Sequence, residues 1–475
     1  MKRSALLTAL LLAALTTSTA HAVDRSKPPA LGPVQPFAMP VPKLLTLKNG
    51  LNIYFLERHR APLVDVVISI GGGALGDPAG QEGAATALAD LLTQGAGDKD
   101  AFAYDDAIQA LGARISAGAS WTSTDVVAHG LSARYDDILA LVGDAILKPR
   151  LLKDDWTRKQ QERLGELAYY KDEPRTLGAL AGARALFATG RQSIGIVGTP
   201  RSVSALSIEQ IKAAWTRSFR PDNAFVVVAG DLDAARVVAG LERALGSWTT
   251  PATPLLKPTA QEPVALTTAS VLLIDRPGAA QSVVQVVAPI PTTTAPFDAA
   301  AGVVQTILGG SFTSRLNGNL REAHGYAYGA GYAYDTSPAH RSRVSTSVKS
   351  AVTVAAIDEI LIELRRIREP IGDDELARGR AYEALTFPSV LDGGGALAGA
   401  WAGWLELGVP ADVVTAYMGR VLAVDAPAAQ KSAQALVAPD NVTIVVVGDA
   451  KSLAESLKKF GPVTRITAND LLPAP

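Results

Sequence analysis

The chain contains no cysteine. Disulfides and thiolate metal ligands are therefore excluded, and so is anchoring through a lipidated N-terminal cysteine. A fold without such staples depends on its apolar core, and 475 residues are enough to build a large one. Charge of one sign is also missing. With 45 basic residues against 46 acidic ones, the balance gives no footprint of nucleic-acid or anionic-membrane binding. Beyond the N-terminal segment no apolar run approaches the roughly 20 residues of a membrane-spanning helix, so no membrane span is expected. Histidine is scarce. Past residue 22 only His59, His129, His324 and His340 occur. No two of them are three or four positions apart, the spacing that sets a pair of imidazoles on one helix face.

What is present begins at the N-terminus. Lys2 and Arg3 precede the apolar run Ala5 to Leu15, and Ala20-His21-Ala22 has the pattern of a cleavage site. This predicts a signal peptide over residues 1–22, cleavage after Ala22, and an exported, periplasmic protein. Residues 23–42 follow as a Pro-rich extension.

The chain then repeats itself. Pro221-Asp222-Asn223-Ala224-Phe225-Val226-Val227-Val228-Ala229-Gly230-Asp231 returns, 218 positions on, as Pro439-Asp440-Asn441-Val442-Thr443-Ile444-Val445-Val446-Val447-Gly448-Asp449. Each copy reads as a turn, a buried β-branched strand, and a Gly-Asp turn into a helix. The same offset lays Ile53-Tyr54-Phe55-Leu56-Glu57-Arg58 on Val271-Leu272-Leu273-Ile274-Asp275-Arg276. Second strands are expected at Val64 to Ile70 and at Ser282 to Pro289, with helices opening near Gly83 and Ala299. A repeat of this length is a duplicated domain rather than a solenoid unit. The expected fold is α+β, with two homologous domains, each a mostly antiparallel sheet packed with helices, forming a half-clamshell. The first domain is placed at 43–248 and the second at 264–475. Between them, residues 249–263 carry four prolines and read as a linker.

In element order and local motifs the chain resembles the pitrilysin, insulin-degrading enzyme and mitochondrial processing peptidase family. Active members carry H-x-x-E-H on the first long helix, where two histidines and a distant glutamate hold zinc and the central glutamate activates water. Here that helix reads Gly83-Ala84-Ala85-Thr86-Ala87-Leu88-Ala89-Asp90-Leu91-Leu92. The resemblance puts Thr86 and Asp90 at the histidine positions and Ala89 at the glutamate. A hydroxyl is a poor zinc ligand, and a methyl group cannot take a proton from water. Glu166 matches the distant ligand, and an acidic residue on such a helix is expected to be solvated or paired with a neighbour such as Arg163. No metal is expected in this chain.

The second half keeps more of the family pattern. Leu308-Gly309-Gly310-Ser311-Phe312-Thr313-Ser314-Arg315-Leu316 leads into Asn319-Leu320-Arg321-Glu322-Ala323-His324-Gly325-Tyr326-Ala327-Tyr328. The resemblance implies that Arg321 and Tyr328 contact substrate. Arginine offers a rigid fork of donors, and a tyrosine hydroxyl can donate to an oxyanion. Against this, Tyr326, Tyr328, Tyr332 and Tyr334 alternate at period two, which on an unbroken strand would make all four a coat on one sheet face. Gly71-Gly72-Gly73 and Gly393-Gly394-Gly395 lack the Lys-Ser/Thr of a phosphate loop and are expected at turns or hinges.

The expected function follows from this unequal decay. The chain would be a non-catalytic, substrate-contacting subunit, paired with a homologous H-x-x-E-H zinc peptidase that binds the zinc, acting on unstructured peptides. The alternative is a peptide-binding or scaffold protein without proteolytic activity. A neighbouring gene encoding an exported homologue with the intact motif would separate the two.

Overall fold

Residues Leu63–Gly71 and Gln281–Pro289, each nine long and 218 positions apart, form central strands of two six-stranded sheets. The computed structural model describes residues 37–336 and 338–474. The signal peptide expected at 1–22 and residues 23–36 of the extension lie outside the described residues.

The first sheet contains β1 (Lys43–Thr46), β2 (Asn52–Glu57), β3 (Leu63–Gly71), β4 (Arg114–Ala119), β5 (Ser123–Leu131) and β6 (Ala224–Gly230), in the order β1-β2-β6-β3-β5-β4. The second contains β7 (Ser270–Asp275), β8 (Gln281–Pro289), β9 (Ala327–Asp335), β10 (Arg341–Lys349), β11 (Thr443–Gly448) and β12 (Val463–Ile466), in the order β9-β10-β8-β11-β7-β12. Every pairing is antiparallel except β2 with β6, β7 with β11, and β7 with β12. The sheets correspond strand for strand apart from one edge. That position is filled by β1, which precedes β2, in one half, and by β12, which follows β11, in the other. This is the α+β duplication that the repeat implies. Residues 249–269 form no helix or strand.

Six helices matter for the site: α1 (Ala84–Leu92), α2 (Lys153–Tyr170), α3 (Pro174–Phe187), α4 (Thr353–Arg366), α5 (Asp373–Thr386) and α6 (Gly394–Glu406). Strand β3 is buried on successive positions from Val64 to Ile70 because both its faces are covered. Val64, Val66, Ile68 and Ile70 enter the core beneath α1, whereas Val67 belongs to a second cluster built around Leu397, Ala398 and Trp401 of α6.

Two helices are exchanged between the halves. α3, from the first half, packs on β8 and β11, where Leu177, Ala181, Leu186 and Phe187 meet Val283, Val287, Val445 and Val447. α6, from the second half, packs on β3 and β6. Trp401 is buried there and donates from its indole N–H to Pro40 O at 3.0 Å. Truncating a buried tryptophan costs about 3–5 kcal/mol, so this contact is a substantial tie between the halves.

The triple glycine opens α6, and only part of it acts as a turn. Gly393 takes φ +89 ahead of the helix. Gly394 and Gly395 serve close approach instead: a Cβ on them would lie 2.3 Å and 2.9 Å from the Asp65 carboxylate oxygens. At the other end of the helix, Glu406 accepts from Ser69 Oγ at 2.8 Å and from Thr122 Oγ1 at 3.3 Å. The helix is thus seated at both ends on polar residues of one face of β3.

Candidate functional site

α1 begins at Gly83, whose φ of +99 and lack of a Cβ let the chain pass Val197 O. Asp77 caps the helix, accepting from Gly83 N and Ala85 N at 2.9 Å each, and Arg191 lies beside it. Burial, the largest influence, pushes the Asp77 carboxyl up, while Arg191 and the amides act against it. The alanines make α1 thin enough to be buried on nearly every side, so that among its residues only Asp90 escapes full burial.

Thr86 and Asp90 are one turn apart and share a face, as the two ligands of a metal helix would. Between them lies the guanidinium of Arg163, from α2. Arg163 Nη1 donates to Thr86 Oγ1 at 2.8 Å, and Nη2 pairs with Asp90 Oδ2. Thr86 Oγ1 in turn donates to Gly83 O at 2.9 Å. The Arg163 side chain is only 8% exposed. Ala89 is buried and adds a methyl group to the core.

Glu166 does not join this group: of the two expectations for it, it is solvated rather than paired with Arg163. Glu166 is exposed and accepts from the Tyr170 hydroxyl, one turn on. That hydroxyl is pushed up to about 12, first by burial and then by the bond to Glu166. The pairing differs because Asp90 offers Arg163 a partner in a buried place, where a guanidinium needs one more than on the helix surface. These residues do not fit zinc. The donors are a hydroxyl already in use and one carboxylate already paired, with a fixed cation between them. Among the described residues no group of three His, Cys, Asp or Glu side chains could hold a metal ion.

The second-half segment is built differently. Gly309 passes so close to β9 that a Cβ would lie 2.2 Å from Tyr332 N. Arg315 forms a two-point ion pair with Glu375 of α5, at 2.8 and 2.7 Å. Asn319 Nδ2 donates to Glu359 and Glu363 of α4, at 2.9 and 3.0 Å. Arg321 lies in the helical turn Gly318–Ala323, and Gly325, with φ +62, ends that turn. Gly325 N and Tyr326 N then donate back to Arg321 O and Leu320 O, the hydrogen-bond pattern of a glycine-capped helix end.

Tyr328 follows on β9, displaced by a bulge. Ala327 stands opposite Val348, and Ala330 opposite Thr346, so β9 carries one residue more than β10 there. Tyr334, Tyr332, Ala330 and Ala327 therefore line the buried face of β10, and Tyr328 does not. Two side chains hold the bulge by taking its backbone groups. Ala330 N donates to Asn317 Oδ1 at 2.9 Å, and Thr346 Oγ1 donates to Gly329 O at 2.8 Å. The period-two alternation that would bury Tyr328 with Tyr332 is broken at this point, and Tyr328 is 91% exposed.

Arg321 and Tyr328 are brought together. The guanidinium carbon of Arg321 lies over the Tyr328 ring at 5.3 Å and over the Phe312 ring at 4.2 Å. Its nearest acid is Glu322, 3.3 Å from Nε. Sequence reasoning named Arg163 only as a neighbour of Glu166, missing its bonds to Thr86 and Asp90, and it gave Phe312 no role. Arg163 had a faint signal, an acidic residue left on an otherwise apolar helix. Phe312 had a clearer one, an aromatic residue set among Gly, Ser and Thr.

Two family profiles match the chain. One, described as insulinase (peptidase family M16), matches residues 54–193; the other, described as peptidase M16 inactive domain, matches residues 205–382. An uncharacterized zinc protease of Mycobacterium leprae is 28% identical over 296 residues, spanning 61% of this chain and 65% of that protein. The non-peptidase homolog YmxG of Helicobacter pylori is 22% identical over 330 residues, 68% of this chain and 75% of the homolog. The crystal structure of a peptidase M16 inactive domain from Pseudomonas fluorescens superposes with a TM-score of 0.79 at 20% identity, over 86% of this chain and 98% of that one. At that identity the likeness is one of fold.

Proposed function

We propose that the chain, which belongs to the M16 peptidase family as a non-catalytic member, is the substrate-contacting subunit of a two-chain zinc peptidase. The zinc and its H-x-x-E-H helix would belong to a homologous partner, and the pair would work on unstructured peptides after export to the periplasm.

One contrast carries this reading. In the first half the metal-motif positions are closed by an internal ion pair, Arg163 with Asp90. In the second half Arg321 and Tyr328 stand side by side, with the tyrosine almost wholly exposed. Decay without a function would not be expected to spare one set and seal the other.

The chemistry available here suits peptide contact. The partner's zinc would supply the activated water. Arg321, permanently charged, can donate in-plane N–H groups to backbone carbonyl oxygens. The Tyr328 hydroxyl can donate to the oxyanion of an attacked peptide bond. The outer edge of β4, whose one strand neighbour is β5, offers a ladder on which an extended chain can be added as a strand.

The test is reconstitution. The chain is expressed with an exported homologue carrying H-x-x-E-H from the same genome and supplied with a fluorogenic, unstructured peptide. Hydrolysis by the pair and by neither chain alone is expected. A homologue that cleaves equally fast without this chain overturns the proposal.

A further inference from the structure

Phe312 is unusual for its surroundings. It sits in Gly309-Gly310-Ser311-Phe312-Thr313-Ser314 and leaves 64% of its surface exposed. A ring in such a loop gains little from burial. It does meet a charge: the Arg321 guanidinium carbon is 4.2 Å from its centroid, closer than the 5.3 Å to Tyr328.

We infer that Phe312 is a positioning residue, which with Tyr328 holds the face of the Arg321 guanidinium so that its edge is presented to a bound peptide. The inference rests on the reading of Arg321 as a substrate contact.

The geometry favours this over a packing role. A guanidinium is flat, and its five N–H donors all lie in its plane. Contact through its face leaves every donor free, whereas a carboxylate partner would occupy two of them. Here the guanidinium carbon lies over two rings, and among the described residues its ion-pair partner is Glu322, beside Nε. The loop that carries Phe312 is itself fixed, because Asn317 Nδ2 donates to Ser311 O at 3.1 Å and Arg315 is paired with Glu375. An arginine left to swing on four torsions would have to be ordered at each binding event, and aromatic contacts lower that cost beforehand.

The experiment has two arms. In the reconstituted pair, Phe312→Ala is expected to lower kcat/KM by roughly tenfold, short of the ~100-fold that a misplacement of one ångström can cause. Phe312→Tyr should restore it and Phe312→Leu should not. With Arg321→Ala already present, Phe312→Ala should have no further effect, since a positioning residue acts only through its client. In the isolated chain labelled with 15N-arginine, the Arg321 Nε–H resonance should carry a ring-current displacement. Phe312→Ala should remove it and Phe312→Tyr should keep it. An unchanged resonance overturns the inference, and so does a Phe312→Ala rate loss that multiplies with Arg321→Ala. If Arg321→Ala leaves the rate intact, the substrate-contact reading fails instead, and the resonance still decides whether the clamp exists.

Discussion

Arg163 donates to Thr86 across 77 positions of chain, Nη1 to Oγ1 at 2.8 Å. The same guanidinium pairs with Asp90. Where active relatives bind a metal cation, this chain binds one of its own side chains.

That substitution predicts how hard the motif is to restore. Thr86→His, Ala89→Glu and Asp90→His together respell H-x-x-E-H, with Glu166 as the remaining carboxylate. Arg163 would still stand between the ligands. At about 4 Å and an effective dielectric of about 20, a doubly charged ion beside a guanidinium costs about 8 kcal/mol. The triple variant should lose zinc on dialysis, and adding Arg163→Leu should let it retain about one zinc per chain. Firm retention by the triple variant alone would show that Arg163 does not block the site.

The seating of α6 predicts a sharp steric effect. Gly394→Ala places a methyl group 2.3 Å from a carboxylate oxygen of Asp65, a buried side chain already bonded to His129. Either the helix or the carboxylate has to move. A loss of about 2–3 kcal/mol in denaturant unfolding is expected, as for other overpacked cores. Gly399→Ala, on the same helix with nothing near its Cβ, is the control and should be neutral or slightly stabilising.

A carboxyl pair between the halves predicts a pH dependence. Asp125 of β5 is pushed up to about 6, first by burial and then by the Glu406 charge on α6. A carboxyl raised in the folded state favours folding only while it is protonated. The penalty is absent below the ordinary value of 3.8, grows as pH rises from there through about 6, and persists above. Asp125→Asn removes it, by at most roughly 3 kcal/mol. Unfolding midpoints should therefore rise in the variant at pH 8 and differ little at pH 4. An equal shift at both values would mean that proton linkage is not the cause.

Much of the fold could be read from the repeat, because strands buried on both faces keep β-branched residues at fixed spacing. The offset that aligns Val226 with Ile444 also aligns β3 with β8, end to end. The loss of the metal motif was equally plain, being a matter of which groups can ligate. The exchange of α3 and α6 was hidden, since a helix alternating Ala, Gly and Leu suits either of two homologous sheets. The position of Tyr328 was hidden for a different reason. A period-two pattern fixes a face only on an unbroken strand, and the bulge is specified by Asn317 and Thr346, which are distant from it in sequence. The pairing of Arg163 was hidden because the sequence suggests only local partners on its own helix, whereas Asp90 competes for it from another helix.

The most direct measurement is the rate of peptide hydrolysis by the reconstituted pair when this chain carries Tyr328→Phe. The hydroxyl is exposed, so its removal should leave folding, association and the partner's zinc intact. If it donates to the oxyanion, kcat should fall by about 100-fold or more. An unchanged kcat in a pair that keeps its metal would contradict the account.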